Sequence, residues 1–320
     1  MVTPGAVTAS VVIPAHNEAA LLGRCLARLL ADATPGEFEV IVAANGCTDD
    51  TALVARTVPG VDVVEIPVAS KAAALNAADE VAAAFPRIYL DADVELTTAG
   101  ARALAAALTD TRPTATGPTA TGPDTAEPDT AGPDRGGDPA GTGGPVLAAV
   151  PRRVLDTAGR PLLVRAYYAV NGRLPAFRQA LFGRGVIALS RAGRARFECF
   201  PAITADDLFL DSLFAPAEKR EVAGAVSVVA TPLRTRHLLR RLGRLRAGNA
   251  MLRTTGPTVR GSRRASWLFD VVLPRPWLLP AGACYAVLTL IAERSSRRPA
   301  TRANWGRDES SRTLAAGQNR

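Results

Sequence analysis

Arg87-Ile88-Tyr89-Leu90-Asp91-Ala92-Asp93 is a short apolar run that ends in two carboxylates one residue apart. On an extended segment, residues i and i+2 project to the same side. Two carboxylates placed so at the end of a buried strand repel each other unless a cation relieves them. A hard divalent ion held by one or two carboxylates, with phosphate oxygens filling its remaining positions, meets that need. The pattern therefore points to metal-dependent chemistry on a nucleotide. Taken alone it also reads as a solvated strand-end turn, so its neighbours decide.

Upstream, strand and helix signals alternate. Ser10-Val11-Val12-Ile13-Pro14 reads as a buried strand. Glu18 to Ala31 follows as a helix with Leu22, Cys25, Leu26 and Leu29 on one face. Phe38 to Ala43 is a second strand, and Thr48 to Val58 a helix opened by Thr-Asp-Asp-Thr. Val61 to Val68 is a third strand, Ser70 to Phe85 a helix with Ser70 as its N-cap, and Ile88 to Leu90 the fourth strand. Apolar, β-branched runs separated by helices of this length predict βαβ units in a parallel sheet. Ligands of such sheets sit beyond the carboxyl ends of the strands. Pro14–Glu18, Ala44–Asp50 and Asp91–Asp93 all fall there, on one rim.

Residues 111–145 break the pattern. Thr-Gly-Pro-Asp-like units recur, and no aromatic, Leu, Ile or Val precedes Val146. Such a stretch buries too little apolar surface to offset its ordering entropy, which predicts a disordered insertion. Beyond it, Val146 to Val150, Gly185 to Ser190 and Val222 to Ala230 read as strands. Pro161 to Leu181 and Ile203 to Phe214 read as helical. Leu233 to Leu245 predicts an amphipathic helix, with Leu238, Leu242 and Leu245 on one face and Arg236, Arg240 and Arg244 on another. The segment Trp267 to Ala292 is apolar but broken by Pro274, Pro276 and Pro280. Its charge-free run is 17 residues, at the lower limit for a membrane span. An interfacial segment or a flap packed on the body is the expectation. The organisation predicted is 1–110, 111–145, 146–266, and an apolar segment with a basic tail over 267–320.

Composition narrows the classes. The chain has 320 residues, 48% hydrophobic, enough for one large domain or two modest ones with a real core. Four scattered cysteines (Cys25, Cys47, Cys199, Cys284) without a CxxC pair, and only two histidines, disfavour a structural zinc or disulfide framework. Cys25 and Cys199 read as core residues. With no secretory signal at the N-terminus, the expected location is cytoplasmic, with contact at the inner face of a membrane. The net charge of +8 is uneven: residues 1–110 carry fourteen acidic against six basic side chains, and Val222 to Phe269 holds ten arginines and no acid. A basic half suits a membrane surface or a phosphorylated substrate. Nucleic acid is disfavoured, because aromatics are few (5%) and do not interleave with the basic residues.

Four segments in order resemble the inverting family 2 glycosyltransferases. They are Val12-Ile13-Pro14-Ala15-His16-Asn17-Glu18, Val42-Ala43-Ala44-Asn45-Gly46-Cys47-Thr48-Asp49-Asp50-Thr51, Ser70-Lys71-Ala72-Ala73-Ala74-Leu75-Asn76, and the pair Asp91-Ala92-Asp93. Order and spacing match over about the first 95 positions. Downstream, Phe182-Gly183-Arg184-Gly185 is similar to the family's acceptor-side glycine turn, and Thr204-Ala205-Asp206-Asp207-Leu208 to its Glu-Asp base motif. Asp206 stands where many members have Glu. Arg240 to Asn249 resembles only loosely the Gln-x-x-Arg-Trp region of processive members, and the missing Trp argues against a polymerising synthase.

The resemblance implies a GT-A type α/β fold: a Rossmann-like, mostly parallel sheet flanked by helices, with a mixed acceptor-side half and an apolar C-terminal segment. It implies one sugar moved from a nucleotide diphosphate sugar to an acceptor hydroxyl of unknown identity, lipid-linked or membrane-proximal given the basic half and apolar tail. Mn²⁺ or Mg²⁺ on Asp93 and Asp91 would neutralise the departing diphosphate. Asp207, or its neighbour Asp206, would take the proton of the attacking hydroxyl. Pro14, Ala15, Asn17, Glu18, Asn45, Gly46, Asp49, Lys71, Asp91, Ala92 and Asp93 are the expected donor side. Gly183, Gly185, Arg240, Arg241 and Arg244 are the expected acceptor or phosphate side. Lys71 at a helix start is disfavoured by the dipole unless an anion lies near. Ala44 stands where the family often has aspartate, which leaves the nucleotide base open. Two alternatives are a sugar-1-phosphate nucleotidyltransferase, disfavoured by Ala15-His16-Asn17-Glu18 in place of a Gly-rich signature, and a non-catalytic nucleotide-sugar-binding protein.

Overall fold

The computed structural model describes residues 7–109, 144–178, 180–203, 205–255 and 265–296; side chains at 244, 247–255 and 296 are not described. The insertion predicted over 111–145 and the basic tail lie almost wholly outside these residues.

Seven strands form one sheet in the order β3-β2-β1-β4-β6-β5-β7. The first half follows the predicted βαβ alternation: β1 (Ala9–Ala15), α1 (Ala19–Leu30), β2 (Phe38–Asn45), α2 (Thr51–Arg56), β3 (Val61–Ile66), α3 (Lys71–Val81), β4 (Arg87–Leu90) and α4 (Thr98–Thr109). β1 is buried along its whole length and pairs in parallel with both β2 and β4. Because β2 and β3 lie on one side of β1 and β4 on the other, the chain reverses direction across the sheet at β1. A crevice opens there beyond the carboxyl ends of the strands.

The second half is mixed, as expected. It comprises β5 (Ala148–Asp156), α5 (Leu162–Asn171), β6 (Val186–Leu189), α6 (Arg191–Arg194), α7 (Asp206–Ser212), β7 (Lys219–Ala230), α8 (Thr235–Thr255) and α9 (Leu279–Ser296). β6 runs antiparallel to both β4 and β5, and β5 pairs in parallel with β7. β6 thus joins the two halves and carries the glycine turn at its start to the end of β4.

Alternate residues of the central strands feed two cores. Val11, Ile13, Val40 and Val42 pack with α1 and α4, whereas Val12, Ile41 and Ala43 pack with α3 and α7. On α1, Leu21, Leu22, Cys25, Leu26 and Leu29 are buried at helical spacing. Burying each such leucine contributes roughly 1.5–3 kcal/mol, which fixes the helix against the sheet. Ser70 does cap α3, its Oγ accepting from Ala73 N at 3.3 Å.

Several local expectations change. The helix expected over Pro161 to Leu181 stops at Asn171, and a 3₁₀ turn at Pro175–Phe177 follows. Proline at that turn cannot donate the hydrogen bond a continuing α-helix needs. β5 extends to Asp156, six residues beyond Val150, because β7 offers it a matching edge through Ala230. Cys199 is exposed rather than in the core, whereas Cys25 is buried. Leu245 is also exposed, while Leu238 and Leu242 are buried as predicted.

Among the described residues one helix, Pro276–Ser295, is long and apolar enough to cross a membrane. It packs one face on α5 and α8 through Tyr285, Leu288 and Ala292, in keeping with the expected flap on the body. Its outer face leaves Leu279, Val287, Leu290 and Ile291 exposed.

Candidate active site

Asp91 follows the last residue of β4, so the parallel pairing with β1 sets it beside Pro14 at the crevice. Its backbone N–H donates to Gly185 O at 2.8 Å. The turn before β6 is therefore clipped directly onto the aspartate pair. Gly185 has φ +68°, and a Cβ there would fall under 3.0 Å from Val94 Cγ2 and lie 3.3 Å from Asp91 Oδ2. Only glycine fits.

Lys71, the first residue of α3, reaches across the crevice. Its Nζ lies 2.7 Å from Asp91 Oδ1 and 2.9 Å from Asp206 Oδ2. The anions that a lysine at a helix start requires are thus present. Burial pulls the lysine's proton affinity down, but Asp206 and Asp91 more than reverse this, and it is held charged. One ammonium joins the strand-end pair to the acidic start of α7, more than a hundred residues away in sequence.

The four carboxylates differ. Burial raises Asp206 to about 6, with Lys71 opposing and the like charges of Asp207 and Asp91 adding. Asp207 accepts from Gly183 N at 2.9 Å through Oδ2 and from Leu208 N at 2.8 Å through Oδ1. Gly183, at φ +72°, thereby aims a backbone donor at this carboxylate. Asp93 is solvent-accessible on the cleft wall, yet protein crowds it and Asp91 repels it. Both effects raise its carboxyl, against the pull of Arg241 and Lys71. A negative charge at Asp93 is under-compensated.

Pro14, Lys71, Asp91, Asp93, Asp206 and Asp207 line one cleft of about 1330 Å³, together with Gly183, Gly185 and Arg241. The remaining residues expected on the donor side do not line it. Asn45 is buried and its Nδ2 donates to Ala15 O at 2.8 Å. Asn17, at φ +54°, accepts from Thr48 N at 2.7 Å. Asp49 accepts from Thr51 Oγ1, Thr51 N and Ala19 N. Glu18 N donates to Thr51 Oγ1 at 2.8 Å, and a Cβ on Gly46 would lie 2.7 Å from Ala69 N. These residues clasp the β1–α1 and β2–α2 turns to each other, and Ala92 is buried behind the pair. Of the arginines on α8, Arg241 lines the cleft and Arg240 is exposed outside it. The Arg244 side chain is not among those described, nor is Thr204.

Two residues, Arg153 on the cleft wall and Arg184 behind it, carry signals that the motifs do not show. Arg153, on β5, stacks its guanidinium over Phe177 at 4.0 Å and donates to Gly183 O at 3.5 Å. The local sequence offers only the pair Arg152-Arg153 within the strand. Arg184 is buried in the glycine turn, donating to Ala180 O, Pro151 O and Phe177 O and pairing with Glu221. It holds the turn's shape from behind.

Residues 10–136 match the family model described as glycosyl transferase family 2. No curated protein matches the chain. Among solved structures, a mannosyltransferase from Pyrobaculum calidifontis, in complex with GDP-Man and Mn²⁺, superposes with a TM-score of 0.52 at 21% identity. The match covers 99% of this chain and 90% of that one. Glucosyl-3-phosphoglycerate synthase from Mycobacterium tuberculosis, with Mg²⁺ and UDP, follows at 0.48 and 19% identity, over 79% and 81% of the two chains. TarS from S. aureus reaches 0.42 at 14% identity, over 93% of each. Residues 10–136 thus carry a glycosyl transferase family 2 domain match, and the chain shares the GT-A type fold of the mannosyltransferase.

Proposed function

We propose that this chain transfers a single sugar, with inversion, from a nucleoside diphosphate sugar to an acceptor hydroxyl. The observation that carries the proposal is the single cleft in which Lys71 ties Asp91, at the end of β4, to Asp206, at the start of α7. A donor-side carboxylate pair and an acceptor-side carboxylate pair then face one volume, as displacement at a sugar carbon requires.

Asp93 and Asp91 fit a divalent cation. Among the described residues no three His, Cys, Asp or Glu side chains form a cage. That suits Mn²⁺ or Mg²⁺ shared between one or two carboxylates and substrate phosphates rather than an all-protein site. The under-compensated charge at Asp93 is what such an ion relieves. The mannosyltransferase of the same fold holds GDP-Man and Mn²⁺. When bound, the ion supplies Lewis-acid stabilisation to the departing diphosphate.

The chain's own groups do the rest. Lys71 pairs with Asp91 and Asp206 and orients both. Asp207, held by the Gly183 N–H, takes the proton of the acceptor hydroxyl. The oxygen forms its bond to the anomeric carbon on the face opposite the diphosphate, and the carbon–oxygen bond to phosphate breaks with its electron pair. Inversion follows. A second assignment has Asp206 as the proton acceptor, because its carboxyl at about 6 is matched to neutral pH.

The test incubates the full chain with a panel of nucleotide sugars and Mn²⁺ and measures nucleoside diphosphate release. Release that is lost on Asp93→Ala and on Asp207→Asn is expected. Full release by Asp207→Asn with loss in Asp206→Asn would move the base to Asp206. Pyrophosphate formed from a sugar 1-phosphate and a nucleoside triphosphate would replace the transferase by a nucleotidyltransferase.

A further inference from the structure

Arg153 lines the active cleft and also a second groove of about 960 Å³, and Leu155 and Tyr168 are shared as well. The two cavities therefore adjoin at this guanidinium. The groove runs between α5 and α9, over Leu162, Leu163, Trp277 and Ala281. Leu162 is 77% and Trp277 73% exposed, so two large apolar side chains flank the groove in contact with water. Its cations are Arg153, Arg165 and Arg173, and no acidic residue lines it.

Among the described residues Arg153 makes no ion pair. Its contacts are a ring face and a long bond to a carbonyl. Burial, with Arg184 and Arg241 nearby, lowers its proton affinity to about 10. Gly183 separates it from Asp207: the same residue offers its carbonyl to Arg153 and its N–H to the carboxylate.

We propose that the acceptor is a membrane amphiphile whose phosphate docks on Arg153, beside Arg241, and whose apolar chain leaves through the α5–α9 groove. A guanidinium that is planar, weakly hydrated and unpaired suits a phosphate. The groove's apolar walls suit hydrocarbon. The arginine rim suits an anionic bilayer surface. With the phosphate on Arg153, the hydroxyl to be glycosylated lies one residue away, at Asp207. The proposal rests on the transferase assignment, and its test separates the two.

The full chain is sedimented with phosphatidylcholine vesicles and with vesicles that also contain phosphatidic acid. Retention on the phosphatidic acid vesicles at least tenfold above phosphatidylcholine alone is expected. Arg153→Met and, separately, Trp277→Ser should each lower it about tenfold, with circular dichroism confirming that each variant is folded. If Arg153→Met does not fold, Arg165→Ser/Arg173→Ser on the exposed rim carries the test with the same expectation. Retention unchanged in the folded variants overturns the proposal. So does protection by millimolar inorganic phosphate without any preference for the phosphatidic acid vesicles, which would assign the site to a soluble phosphate. Donor binding by the wild-type chain is measured in parallel. Its absence would overturn the transferase assignment and leave the vesicle result standing.

Discussion

Gly185→Ala is the sharpest single perturbation of the cleft, because the glycine turn, the aspartate pair and Val94 meet there. At φ +68° an alanine pays the left-handed penalty of about 1–2 kcal/mol. Its Cβ would also fall under 3.0 Å from Val94 Cγ2, a buried side chain 5% exposed, and lie 3.3 Å from Asp91 Oδ2. Overpacking of that kind costs about 1–3 kcal/mol. The sum is a destabilisation of roughly 2–5 kcal/mol, read as a lower urea midpoint at constant slope. Val94→Ala alone removes two buried methyl groups, about 1.6 kcal/mol plus the cavity. In the double variant the overlap is gone and only the φ penalty and the lost methyls remain. The double-mutant cycle should therefore show a favourable coupling of about 1–3 kcal/mol. Asp91 N is bonded to Gly185 O, so the same substitution should weaken donor binding in the presence of Mn²⁺ by displacing Asp91. Gly185→Ala within about 0.5 kcal/mol of wild type, or strict additivity with Val94→Ala, would refute the steric account.

Three further outcomes are expected. Lys71→Met leaves Asp91 and Asp206 facing each other without their shared cation. Because Lys71 and Asp91 are about a third exposed, the stability loss should be near 1–2 kcal/mol rather than the full cost of a broken buried pair, whereas turnover with any active donor should fall at least a hundredfold; unchanged turnover would remove Lys71 from the site. Asp206, raised from 3.8 to about 6, binds a proton in the folded state that the unfolded chain has already released. Stability of the ligand-free chain should therefore decline as pH rises from about 4 to 6, and Asp206→Asn should flatten that slope, as followed by urea unfolding across pH. Burial pushes the Cys25 thiol up to about 12, so under native conditions a thiol reagent should modify exposed Cys199 and spare Cys25, with Cys25 reacting only in denaturant.

The donor half was legible because its signals are local. Strand runs such as Val11-Val12-Ile13, a cap at Ser70 and a carboxylate pair at a strand end each act within a few residues, and parallel βαβ topology then fixes their place on one rim. α4 carried little signal, since its alanine-rich stretch Thr98–Thr109 offers little contrast between faces, yet Leu104 and Leu108 pack into the main core. The motif residues also proved to have two duties that spacing does not separate. Asn17, Asn45 and Asp49 spend their polar atoms on clasping two turns together, whereas Lys71, Asp91 and Asp93 face the cleft. Which duty a residue performs depends on partners 30 or more positions away, such as Asn17 on Thr48 or Lys71 on Asp206.

The acceptor half was less legible for the same physical reason taken further. Arg153 owes its place to the pairing of β5 with β7, some seventy residues downstream, and to a glycine turn thirty residues on. Nothing in the local run Val150-Pro151-Arg152-Arg153-Val154 says which arginine turns inward. What the sequence does carry is an excess of arginine without matching acid, and the fold converts that excess into position: Arg184 is satisfied by Glu221 and three carbonyls, whereas Arg153 is left with a ring face and one long bond. Two arginines at opposite sides of one glycine turn thus divide structure from recognition. The turn can hold a cation open to a substrate anion on its cleft side because a second, fully paired cation supports it from behind.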